Sequence, residues 1–255
     1  MAKSLKEWCR THVKNMADSF EDFEIFRTQF YRNPHRAIIK DSSSFKSPAD
    51  GVIINQTQIN DIDDEVLKIK GKKYTLRNAL GNNEEMLDLI KERGGALVID
   101  VFMTYYDVHY NRIPTDGFLT YEKLLPTESY NNESMLAVEE GLFANNFKKA
   151  LTELGYMFCN ERLLNIIYSP VLQEKYAVVQ IADEQINCIQ TAWVPARGEP
   201  NTHLYQQGDI FGNIRKGSQC TIVIPFSNKW NYIPILEPSF HVEAGIDELI
   251  RVEPK

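Results

Sequence analysis

From residue 52 onward the chain is built of short apolar, β-branched runs broken by glycine turns. The runs fall at 52–54, 66–69, 96–103, 163–168, 177–181, 189–194 and 221–226. Asp50-Gly51, Lys70-Gly71, Asp116-Gly117 and Gly208-Asp209 punctuate them. Runs this short suit strands better than helices, and many of them joined by glycine turns predict a β-sandwich or barrel. The longest, 96–103, is interrupted by Asp100 and is far too short to span a bilayer.

Helices are expected at three places. Residues 4–31 place Leu5, Trp8, Met16, Phe20, Phe23, Phe26 and Phe30 at mostly three- and four-residue intervals, the spacing of one or two amphipathic helices. The polar side of that segment is mixed in charge rather than basic, which favours a helical layer on the core over a membrane-surface helix. The 20–30 phenylalanines are nonetheless the one candidate surface for lipid. Pro34 and residues 41–44 close this region. The reading is therefore a 1–36 helical segment and a 37–255 domain, mainly β within an α+β class. A second helix is expected at 83–92, closed by Gly94-Gly95, and a third over much of 133–154, capped by Gly155.

Composition excludes several classes. With 255 residues, 43% hydrophobic and 25% charged, the chain can build a sizeable core and is not a disordered polymer. A net charge of −7 leaves no broad basic footprint, so nucleic acid is not the expected partner. The first twenty residues carry charges throughout and lack the apolar stretch of a secretory signal. Cys9, Cys159, Cys188 and Cys220 are widely spaced and form no CxxC, which points to a reducing compartment and a cytoplasmic location. The five histidines form no HxxxH or HExxH pair, so no metal site is expected. No GxGxxG or Walker A stretch occurs.

Asp50, His109 and Ser218 follow one another in an order that some hydrolases use. Ser218 is not in GxSxG, however. It lies in Ile214-Arg215-Lys216-Gly217-Ser218-Gln219-Cys220, where a Gly-Ser pair before a strand is ordinarily a turn.

Ordered pieces of the chain change that reading. They are the aromatic-Arg-Asn-Pro segment at 30–36, Ser47-Pro48-Ala49-Asp50-Gly51, the Lys-Gly segment at 70–81 and Asp107-Val108-His109-Tyr110-Asn111-Arg112-Ile113-Pro114. Asn160-Glu161-Arg162, Val178-Val179-Gln180-Ile181-Ala182, the Phe211–Ser218 stretch and Val242-Glu243-Ala244-Gly245 continue the series. Together they resemble the phosphatidylserine decarboxylase family of pyruvoyl enzymes across roughly residues 30–250, closest to its shorter members. That resemblance implies a β-sandwich whose C-terminal part is a lipoyl-type barrel-sandwich.

It also implies a proenzyme that cuts itself between Gly217 and Ser218 into chains 1–217 and 218–255. The Ser218 hydroxyl would attack the Gly217 carbonyl and end as a pyruvoyl cofactor on the new terminus. A hydroxyl needs a base for this, and the matching motifs offer His109 oriented by Asp50. Gly217, without a Cβ, suits a strained scissile position. The pyruvoyl ketone accepts the electrons released as CO2 leaves, and His109 is the candidate acid for the α-carbon. The implied activity is that of a carboxy-lyase in phospholipid biosynthesis, acting on phosphatidylserine, with a soluble amino acid as the alternative substrate. Peripheral membrane contact would be weak, and a homodimer is left open.

Three positions depart from the family pattern. Arg112 stands where longer members carry a second histidine, Lys216 precedes the scissile glycine, and Gln219 follows the serine. The family's hydrophobic N-terminal anchor is not expected here either, since a polar amphipathic segment stands in its place. These departures keep a competing reading open, a non-catalytic binding or regulatory protein on the same fold. Arg112 itself suits either a carboxylate or phosphate contact or a structural ion pair. Asn160-Glu161-Arg162 and Cys220 read as structural.

Overall fold

A computed structural model of the chain describes residues 2–13, 28–125, 133–185, 187–191 and 202–255. Its centre is a nine-stranded sheet whose neighbouring strands all pair antiparallel. In spatial order the strands are Lys3–Ser4, Phe240–Val242, Gly51–Ile59, Ala96–Met103, Ser218–Pro225, Glu174–Ala182, Arg162–Ser169, Gly117–Leu124 and Leu204–Tyr205. Two three-stranded sheets and a hairpin accompany it among the described residues. The architecture is mainly β with few helices, as the sequence pattern predicts.

Both faces of the central sheet are covered, and the strand sequences show it. Ala96–Met103 is buried at every position. Ala96, Val98 and Phe102 join one apolar cluster, while Leu97, Ile99, Val101 and Met103 join the other. Period-two alternation between two buried faces gives a nearly continuous apolar run. The first cluster is closed by helical residues such as Met86, Leu87, Ile90, Val138 and Leu142. The second is closed by residues of the smaller sheets, including Phe45, Phe211, Ile250 and Val252.

Asp100 interrupts the run because it anchors a buried polar knot. It is fully buried, and burial pushes its carboxyl upward despite donors from Thr221, Asn55 and Gln219. Asn55 Nδ2 and Gln219 Nε2 each donate at 2.9 Å, Thr221 Oγ1 donates as well, and Tyr156 donates to Gln219 Oε1. Gln219, one of the departures from the family pattern, thus ties the strand that begins at Ser218 to its neighbour. A buried carboxylate needs such partners, because each unmade hydrogen bond costs about 1–3 kcal/mol.

The second helix runs Glu84–Arg93, with the Asn83 side chain capping its start and Gly94 ending it at φ 76°. The third expected helix is instead two, Leu136–Phe143 and Phe147–Thr152, separated by Asn145 at φ 53°. Gly155 does not cap that region; it precedes a further turn of helix, Tyr156–Cys159. At the N-terminus, Leu5–Trp8 is helical and Cys9–Val13 continues as a π-helix, with Leu5 and Trp8 inside the first cluster. Met16, Phe20, Phe23 and Phe26 lie outside the described residues. Phe30 is described and is buried. No helix among the described residues is long and apolar enough to cross a membrane.

Candidate active site

Ser218 opens a central strand and is fully buried. It pairs with Met103 on one side and Ala182 on the other. Its hydroxyl donates to Met103 Sδ at 3.1 Å. Gly217, immediately before it, has φ +45°. A Cβ built there would lie 2.5 Å from Asp183 Cβ, so both the left-handed conformation and the close packing demand glycine. Asp183 is held in turn, receiving the Met135 amide at 2.8 Å and donating its own amide to the Lys216 carbonyl at 3.1 Å.

His109 sits in the turn that follows Met103. Its carbonyl receives the Ile214 amide at 3.0 Å, which ties it to the strand leading to Gly217. Nδ1 faces the Asp107 carbonyl at 3.0 Å, so Nδ1 carries the proton and Nε2 keeps its lone pair. Nε2 is buried and has no hydrogen-bond partner among the described residues. The ring stacks on Phe30 with centroids 3.9 Å apart. Burial lowers its pKa to about 4, so the imidazole is neutral at physiological pH.

Asp50 does not orient His109 through a hydrogen bond. Arg36 clamps its two oxygens at 2.6 Å each, and the Ala244 amide donates at 2.7 Å. A long contact of 3.4 Å from the Val108 amide is its nearest link to the histidine turn. Burial works against the Arg36 guanidinium, yet its hydrogen bonds to Asp50 and the charge there raise its pKa overall. Asp50 and His109 are therefore neighbours, while Ser218 contacts neither through a hydrogen bond in this conformation.

The carboxylate–histidine pair that does form joins Asp107 to His241, Nε2 to Oδ1 at 2.6 Å. Burial pushes the Asp107 carboxyl up, but His241 and two bonds from Thr104 outweigh it and hold the carboxyl low. His241 stacks on Trp8 at 4.3 Å. Arg112 donates to the Gly208 carbonyl at 2.7 Å, a structural contact, and its buried Nε has no partner among the described residues. Arg162 is fully buried and donates to the Asn78 and Leu125 carbonyls. Among the described residues no cluster of His, Cys, Asp and Glu is arranged to hold a metal.

A cleft of about 500 Å³ opens beside Gly217. Phe30, Phe102, Met103 and Met135 give it an apolar wall, and Glu139, Asp183, Glu184 and Lys216 give it charge. Sequence reasoning left Glu139, Asp183 and the Arg36 clamp without roles. Arg36 stood in a matched segment and Asp183 directly follows one, but Glu139 carried no signal.

A left-handed glycine thus precedes a buried, strand-opening serine at the edge of a cleft, with a neutral histidine on the turn tied to the preceding strand. The family model for phosphatidylserine decarboxylase matches residues 23–247. The chain belongs to that family and is a carboxy-lyase of it. The phosphatidylserine decarboxylase proenzyme of Carboxydothermus hydrogenoformans is 27% identical over 229 residues, 90% of this chain and 81% of that protein. That of Actinobacillus pleuropneumoniae serotype 3 is 24% identical over 255 residues, 96% and 79% of the two chains. A Bacillus mycoides proenzyme of the same description is 30% identical over 175 residues, 63% and 59%.

Proposed function

We propose that the chain is a pyruvoyl-dependent decarboxylase of phosphatidylserine that matures by cleaving itself between Gly217 and Ser218. The observation that carries this reading is Gly217 itself, held at φ +45° against Asp183 directly before a buried serine at the rim of a cleft. The residues fit the group they would generate. Ser218 is fixed by strand pairing on both sides and by the Gln219 knot, so its α-carbon stays in place after the chain is cut.

In the cleavage, Ser218 Oγ turns from Met103 and bonds to the Gly217 carbonyl carbon, giving its proton to His109 Nε2. The Gly217–Ser218 C–N bond breaks, and the nitrogen takes that proton back. The Ser218 α-proton then leaves to solvent as the Cβ–O bond breaks, which frees the Gly217 carboxylate and leaves a dehydroalanine; its imine tautomer takes up water and releases ammonia. The resulting ketone is the electron sink that decarboxylation requires. Burial keeps His109 neutral, so its Nε2 lone pair is available to take the proton at neutral pH. Asp107 fixes its tautomer through a carbonyl, and Asp50 with Arg36 fixes the neighbouring turn.

The substrate reading rests on the family and on its relatives' names. Leu136, 54% exposed at the cleft, gives an apolar rim toward which a lipid headgroup can be delivered. Contact with a bilayer would be peripheral and reversible. The test is CO2 release from carboxyl-labelled phosphatidylserine in mixed vesicles, compared with free serine. Release from vesicles alone supports the lipid substrate. Release from free serine alone replaces it with a soluble one.

A further inference from the structure

We propose that the cleft beside Gly217 is the headgroup pocket and that Glu139 is the residue that selects for a substrate's primary ammonium. The inference rests on the decarboxylase reading and adds a recognition residue to it. Glu139 projects from the helix Leu136–Phe143 and is only 8% exposed, yet it lines the cleft. One oxygen, Oε1, accepts the Tyr105 amide at 2.7 Å, which fixes the carboxyl group against the histidine-bearing turn.

The groups around the cleft favour a cation. From the 104–107 turn come Tyr105 and Tyr106; after the strand Glu174–Ala182 come Asp183 and Glu184; from the segment before the cleavage site comes Lys216. Asp107 lies behind the lining, near enough to act on Glu139 but already bound to His241. Lys216 is already engaged, 2.7 Å from Glu184 and 3.9 Å from Asp183. The acids therefore exceed the one lysine. An arriving ammonium supplies positive charge at a carboxyl whose ionisation burial opposes. Burial, with Asp107 and Asp183 adding to it against the Tyr105 bond, raises the Glu139 pKa to about 8. Pockets of this size and apolar character with a few converging polar groups are the usual form of small-ligand sites.

An ammonium is common to phosphatidylserine and to a free amino acid, so binding must be read with both. The full-length Ser218→Ala chain, which cannot process, is titrated calorimetrically with glycerophosphoserine, its N-acetyl derivative and free serine. Glycerophosphoserine is expected to bind, with acetylation weakening it at least tenfold. Glu139→Gln on the same background keeps an acceptor for Tyr105 and is expected to weaken binding at least tenfold.

The pH dependence has a definite sign. Below about 8 the Glu139 carboxyl must give up a proton to pair with the ammonium, so affinity rises with pH. The dissociation constant should fall close to tenfold from pH 6 to 7 and level off above 8; the Gln variant should lack that slope. Equal or tighter binding of free serine assigns the pocket to a soluble amino acid and leaves the role of Glu139 standing. Absence of binding, unchanged affinity in Glu139→Gln, or equal binding of the acetylated compound overturns the inference. An uncleaved wild-type chain would count against the maturation reading alone, since the titration uses a chain that never matures.

Discussion

His109→Ala is expected to stay folded and to slow self-cleavage by about 10²–10⁴-fold, the range over which a positioned base contributes. The measure is the fraction of full-length chain remaining over time, followed by mass. In the wild-type chain the cleavage rate should be level from pH 6 to 8 and fall only as pH approaches 4, where burial places the imidazole's titration. A rate that falls with a midpoint near 6.5 would show that the working base is solvated and is not His109.

The same residue makes the fold acid-labile. Its pKa is depressed in the folded chain, so the unfolded chain binds the proton first. Stability is lost as pH falls from about 6.5 toward 4, by about 3 kcal/mol at the extreme. His109→Ala should remove that part of the pH dependence.

Arg36→Ala is expected to lower unfolding stability by about 3–5 kcal/mol, the cost of stranding one member of a buried ion pair. Both side chains are almost wholly enclosed, at 9% and 6% exposed, and both Asp50 oxygens depend on the guanidinium. Urea denaturation of the Ser218→Ala chain with and without Arg36→Ala measures this without interference from cleavage. The Val108 amide reaches Asp50 at 3.4 Å, so maturation of Arg36→Ala in the otherwise wild-type chain should also slow. A loss below about 1 kcal/mol would mean that Asp50 finds water or another partner and that the clamp is not what holds the turn.

These two sites mark where sequence reading ended. The strands were legible because burial on both faces leaves an unbroken apolar run, as in Ala96–Met103. Gly94 and Gly217 were legible because each meets a local conformational demand within a recognisable segment. Ser218 and His109 were legible through motifs.

What could not be read is which residue meets which across the fold. Asp107 and His241 pair over 134 positions, and no local pattern encodes that distance. Asp50 sits in the same kind of motif as His109, which invited a direct pairing. Its partner is instead Arg36, which comes in from the stretch that precedes the strand Gly51–Ile59. The single helix expected over 133–154 is broken where Asn145 takes a left-handed conformation, a role that asparagine tolerates better than most residues. Glu139 sits in that poorly matching stretch and reveals itself only through the cleft it lines.

Intact mass spectrometry of the purified wild-type chain tests the central claim most directly. Two polypeptides are expected, residues 1–217 and residues 218–255. The smaller should be blocked to Edman degradation and its mass should be that of a pyruvoyl rather than a seryl terminus. Ser218→Ala should give one full-length species. A wild-type chain that keeps its single full-length mass through prolonged incubation under native conditions would show that Gly217–Ser218 is not a self-cleavage site.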